Sequence, residues 1–160
     1  MVDRRLLEGP LYTDFYQLTM AQLYFEQQMH EKEARFEHFF RSYPDYGDHK
    51  AGYCVQAGLN WFLDWLEDLN FSPAEIEKLR EHENEKGKKV FSDRFLDWLA
   101  GQDIAGQLKI EAIPEGRVIH PNLPLTVVEG PLALAQLVET ALLNQINYQI
   151  LVATKASRLH

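Results

Sequence analysis

A single cysteine, Cys54, stands in 160 residues, which excludes an internal disulfide and every zinc framework built from several thiols. We read it as a small apolar core residue. Positive charge is scarce too, with 16 Lys and Arg against 24 Asp and Glu and a net charge of −8. Bulk binding to nucleic acid or to an anionic membrane surface needs the opposite balance, so any anionic ligand must be met by a local cluster of cations. The amino end shows no basic, then apolar, then small-residue leader. The longest apolar stretch is interrupted by Glu139, Asn144 and Asn147 and is not a bilayer span. These absences lead us to expect a cytoplasmic protein that touches neither nucleic acid nor membrane. His30, His49, His82 and His120 fall in no metal-ligating spacing, and no repeat or low-complexity tract breaks the chain. What remains is ordinary globular material, 46% hydrophobic and 12% aromatic, enough to bury a core.

The most informative stretch is the last third. Leu125 to Val128 reads as a short strand, Glu129-Gly130-Pro131 as the break after it, and about 28 residues of helical character follow without another Gly or Pro. At about 100° per residue, Gln136, Thr140, Asn144, Asn147, Thr154, Lys155 and Arg158 fall within one arc of about 100°. Leu137 and Leu151 intrude on it, and the rest of the rod is Leu, Val, Ile and Ala. A helix this apolar is expected to be buried, so its polar stripe needs partners in an internal network, a subunit interface or a bound ligand. Lys155 and Arg158, three apart, are placed to aim donors at one anion.

Upstream, LYTDFYQLTMAQLYFEQQM reads as a helix capped by Thr13 or Asp14, with Gln17 in the capping-box position. Phe15, Leu18, Ala21, Gln22, Phe25 and Met29 line one face. The same start can be a plain cap with a core tyrosine, or a positive helix end beside an aromatic face offered by Tyr16. Residues 33–41 read as a strand, with Arg35, His38 and Arg41 on its solvated edge. Residues 52–59 give a second short strand, and 60–69 a helix whose Trp61, Leu63 and Trp65 look too apolar for the surface. Ser72-Pro73 with Glu75 starts a helix over about 73–83, and Ser92 starts another that ends at Gly101. Asp64, Asp68, Asp93 and Asp97 follow the polar faces of these helices and read as solvated charge. Strand signals at 108–113, 117–120 and 125–128, separated by Pro- and Gly-containing turns, suggest a meander.

VEGPL (128–132), QLVETALLNQINYQ (136–149) and ATKASR (153–158) together strongly resemble the nicotinate phosphoribosyltransferases. The T-D-x-Y opening at Thr13–Tyr16, the F-x-x-F-F-R segment ending at Arg41, and I-P-E-G with the later P-N-L-P extend the resemblance from Thr13 to Arg158. It implies an α+β fold, with helices on a mostly antiparallel sheet over residues 1–130. A long helix, 131–160, would lead into an irregular α/β barrel that this chain does not contain. The implied reaction is attack of the nicotinate ring nitrogen on C1 of phosphoribosyl pyrophosphate, a glycosyltransferase step with ATP-coupled ligase character and Mg2+ on the pyrophosphate, serving NAD synthesis. Asp14, Tyr16, Thr154, Lys155 and Arg158 become the implied substrate-binding residues, Tyr16 stacking on the ring in the neighbouring subunit's site of a homodimer. Arg41 is a weaker candidate. No residue here is implied as catalytic, and the family's segments that carry the transfer chemistry have no counterpart in this chain, so these 160 residues alone are expected to be inactive. A nicotinamide or quinolinate phosphoribosyltransferase, or a non-catalytic dimerisation module, are the alternatives.

Overall fold

The computed structural model describes residues 9–45, 47 and 51–159; His49 lies outside them. The chain runs α1 (Phe15–Glu26), β1 (Glu33–His38), β2 (Cys54–Val55), α2 (Leu59–Glu67), α3 (Pro73–Glu81) and α4 (Asp93–Ala100). It continues through a helical turn, α5 (Ile104–Gln107), then β3 (Lys109–Ala112), β4 (Val118–Ile119), β5 (Thr126–Pro131), α6 (Leu132–Leu137) and α7 (Glu139–Ala156). Local chemistry sets several of these boundaries. Ser72 accepts from the Glu75 N–H while its own N–H donates to Glu75 at 2.8 Å, closing the expected capping box at α3. Ser92 caps α4 by accepting from the Phe95 N–H, while its own N–H donates to Gln22 Oε1 at 2.6 Å, and Gly101 ends the helix.

The strands mix with the helices as an α+β fold requires, but the meander does not form. β5 lies in the middle of an antiparallel sheet of order β1-β5-β3, while β4 pairs with β2 in a separate ribbon. Thr126, Val127 and Val128 are buried in succession, so β5 is covered on both faces and suits a central position. β1 offers it six paired residues, and β4 has only two to give. Ile119 sits instead opposite Cys54, both buried as the core reading of Cys54 expects.

Glu129-Gly130-Pro131 does not break β5, which continues to Pro131. Gly130 lets it pass, because a Cβ there would lie 2.6 Å from the Gln107 carbonyl oxygen. The single long helix expected after Pro131 is two helices meeting at Val138. No Gly or Pro forces this break. It falls where α6 packs on α1 and the sheet while α7 packs on β2 and α2, and Thr13 Oγ donates to the Leu137 carbonyl there. α7 is also less buried than its composition suggests, since only one side packs and Tyr148, Leu151 and Val152 are exposed.

The core gathers Phe62, Phe95, Leu96, Leu99, Ile104, Leu134 and Ile146, all with almost no exposure. α2 enters it through Phe62, Trp65 and Leu66, an i, i+3, i+4 set, which turns Trp61 outward with 63% of its surface exposed, against the expectation from its composition. Gly58 precedes α2 at φ +95°, a conformation that favours glycine, and a Cβ there would meet Gln145 O at 2.8 Å and Gln149 Cβ at 2.9 Å. That close approach seats α2 against the middle of α7.

Candidate functional site

At the start of α1 the backbone of Asp14 is extended as an N-cap should be, but its side chain makes no cap bond and the capping box with Gln17 does not form. Asp14 Oδ2 accepts instead from Thr140 Oγ at 2.9 Å, and the Asp14 N–H donates to the same Thr140 oxygen at 3.2 Å. Tyr16 is half exposed and its Oη accepts from Gln17 Nε2 at 3.0 Å. Gln17, fully buried, also donates to Glu139 Oε2 at 2.7 Å and accepts from Gln136 Nε2 at 2.5 Å. Two helix starts, α1 and α7, are thus tied side chain to side chain. The Tyr16 phenol is pushed up, first by desolvation and then by the charges of Glu139 and Asp14, against the lowering effect of the Gln17 donor.

The far end of α7 is built differently. Thr154 is buried and its Oγ accepts from the Val55 N–H at 2.9 Å. Ser157 Oγ donates to the Thr154 carbonyl at 2.8 Å, so the Tyr53 hydroxyl, 3.0 Å away, is the donor to Ser157. Arg158 is half-buried, its guanidinium carbon 5.4 Å from the centroid of the Tyr53 ring, and Lys155 is exposed. Cys54 lies beside this corner; burial pushes its thiol up, with Thr154 and Arg158 opposing.

Between the ends, His38 departs from its expected place on a solvated edge. Only 4% of it is exposed, its Nε2 stands 3.0 Å from Asn147 Oδ1, and burial holds its pKa below the usual histidine value while the Asn147 bond opposes. Antiparallel pairing with Thr126 at the end of β1 turns it inward. Among the other readings, Asp93 and Asp97 both bind Arg80.

The five candidate residues therefore form two groups. Asp14 meets α7 at Thr140, with Tyr16 two residues further along α1, and Thr154, Lys155 and Arg158 lie at the other end of α7, so the groups are about 21 Å apart along the helix axis. One end supplies an aromatic face, a hydroxyl and a carboxylate; the other supplies two cations. Sequence reading missed Gln17, Glu139 and Tyr53. Gln17 had one legible signal, its place one residue before Leu18 and four before Ala21 on the buried side of α1.

Residues 11–147 match the model of the nicotinate phosphoribosyltransferase (NAPRTase) N-terminal domain. The chain is 40% identical over 152 residues to a nicotinate phosphoribosyltransferase of Caenorhabditis elegans, covering 95% of this chain and 25% of that protein. A Mycobacterium tuberculosis nicotinate phosphoribosyltransferase is 42% identical over 151 residues, covering 94% and 30%. The crystal structure of human nicotinic acid phosphoribosyltransferase superposes with a TM-score of 0.78 at 34% identity, over 92% of this chain and 28% of that one. The chain spans only about a quarter to a third of the length of these relatives. Across nearly all of its own length, this chain belongs to the nicotinate phosphoribosyltransferase family.

Proposed function

We propose that this chain forms the amino-terminal part of an enzyme that joins nicotinate to the ribose of phosphoribosyl pyrophosphate, with ATP, to give nicotinate mononucleotide for NAD synthesis. The observation that carries the reading is the match of residues 11–147 to that family's N-terminal domain. Residues 1–130 would be the N-terminal domain, and 131–160 the segment leading into an irregular α/β barrel.

The chain's part is to bind and orient. Tyr16 holds the base by stacking, Asp14 orders that corner through Thr140, and Lys155 and Arg158 meet phosphate or carboxylate while Thr154 anchors their helix end. Two groups about 21 Å apart cannot close on one small substrate, which favours a homodimer whose site draws one group from each copy. Among the described residues no cluster of three or more His, Cys, Asp or Glu could hold a metal ion. The family implies Mg2+ and ATP, and none of the candidate residues named here is assigned to hold either.

Tyr16→Ala, in a full-length nicotinate phosphoribosyltransferase carrying this segment, should raise the KM for nicotinate while the melting temperature moves little, since Tyr16 is half exposed. A loss of stability with unchanged KM would make Tyr16 a structural residue. The isolated 160 residues should show no turnover, and robust turnover would overturn the proposed division of labour.

A further inference from the structure

The hydrogen-bond directions around Gln17 are fixed by one carboxylate. Glu139 can only accept, so the Gln17 atom 2.7 Å from its Oε2 must be the amide nitrogen. The Gln17 oxygen then faces Gln136, whose own nitrogen donates to it at 2.5 Å. Both hydrogens of the Gln17 nitrogen are committed, one to Glu139 and the other to Tyr16 Oη at 3.0 Å. Tyr16 Oη is therefore an acceptor on its inner side, and its own hydrogen is turned to the open side of a half-exposed ring. Gln17 has no freedom to reverse this, being fully buried and held on three sides by Tyr16, Glu139 and Gln136.

We propose that Gln17 is a positioning residue that fixes the Tyr16 ring and presents its hydroxyl to substrate as a donor, so that this corner takes an oxygen acceptor and disfavours an amide nitrogen. The inference rests on the reading that Tyr16 touches substrate. The acceptor is an oxygen of the base or of the phosphorylated ribose, and the two sources separate by which KM responds. Placement by a buried amide also fixes the direction of the ring's long axis without a covalent tie, because the hydroxyl is held at the far end of the side chain from Cβ.

The test is a double-mutant cycle, in a full-length nicotinate phosphoribosyltransferase carrying this segment, with Tyr16→Phe, Gln17→Leu and the pair, reading KM for nicotinate and for phosphoribosyl pyrophosphate separately. Each single change should raise one of the two KM values about fivefold, the net effect of one hydrogen bond. The pair should be no worse than Tyr16→Phe alone, because Gln17 acts through the hydroxyl that Phe lacks. Effects that multiply would show that Gln17 acts elsewhere and would overturn the inference. Tyr16→Ala separates the two levels. If neither KM moves in it, the placement of Tyr16 at the site fails. If a KM moves but the cycle multiplies, only the role of Gln17 fails.

Should Gln17→Leu not fold, Gln17→Met keeps the side-chain length and approximate volume and removes the donor without placing a second carboxylate against Glu139. It should raise the same KM, and an unchanged value would count against the proposal. On the 160-residue chain itself, the Cζ resonance of Tyr16, observed with ring-labelled tyrosine, should move in Gln17→Met. An unmoved resonance would mean that the bond is not made.

Discussion

At the amino end of α7, Glu139 and Thr140 reach across to Gln17 and Asp14, and nearly every polar group answers another side chain. At the carboxyl end, Thr154 and Ser157 bind the backbone, at the Val55 N–H and the Thr154 carbonyl, and Arg158 lies on an aromatic ring. A backbone partner is present whatever the neighbouring residue type, so the second arrangement tolerates conservative change. Partners that are side chains must be right at both ends. The amino end should therefore show strong coupling between substitutions with modest single effects, and the carboxyl end larger single effects with little coupling.

The largest expected effect strikes both ends at once. Gly58→Val forces a branched residue into φ +95° and drives its Cβ against Gln145 and Gln149 in the middle of α7. It should cost about 3 kcal/mol or more in chemical denaturation, and equal stability would mean that α2 and α7 can separate without penalty. Next, Thr154→Val leaves the part-buried Val55 N–H without its acceptor and should cost about 1–3 kcal/mol, with Thr154→Ser recovering most of it. A Val variant as stable as the parent would remove the contrast with the amino end.

A smaller effect depends on pH. Because burial lowers the pKa of His38, the unfolded chain takes up a proton below about pH 6.5 before the folded one does. Stability should fall as pH drops through that window, level off once His38 charges in the folded state, and lose this slope in His38→Gln. An unchanged slope in the variant would assign the acid sensitivity to other groups. Smallest of all, Thr140→Val removes bonds at an exposed corner and should cost about 0.5–1 kcal/mol, read as a shift of the denaturation midpoint. A cost as large as that of Thr154→Val would erase the distinction between the ends.

Elements started by their own side chains were legible in the sequence, as at Ser72 and Ser92, because the cap and its partner lie three residues apart. Choices made by distant partners were not. β4 could be seen as a strand, but its pairing with β2 depends on residues more than sixty positions earlier. The break at Val138 has no local cause and follows from two packing surfaces that diverge. Trp61 and Phe62 are equally apolar neighbours, and only the rotation of α2 on the core decides which is buried. For the candidate site, periodicity placed a polar stripe after Pro131 and demanded partners for it. It could not name Asp14, Gln17, His38 or the Val55 N–H, all of which approach from at least ninety-nine positions away.

The amide relay from Glu139 through Gln17 to Tyr16 binds three separate positions into one unit of inheritance. If a lineage replaced Glu139 with lysine, the nitrogen of Gln17 would face another donor and the amide would have to turn over. Its oxygen would then look at Tyr16, and Gln136 would turn as well, since its nitrogen could no longer donate to Gln17. A change at residue 139 would thus reverse what the hydroxyl at residue 16 offers to the outside, without altering residue 16. A designer who edits position 17, 136 or 139 is therefore editing the polarity of the tyrosine.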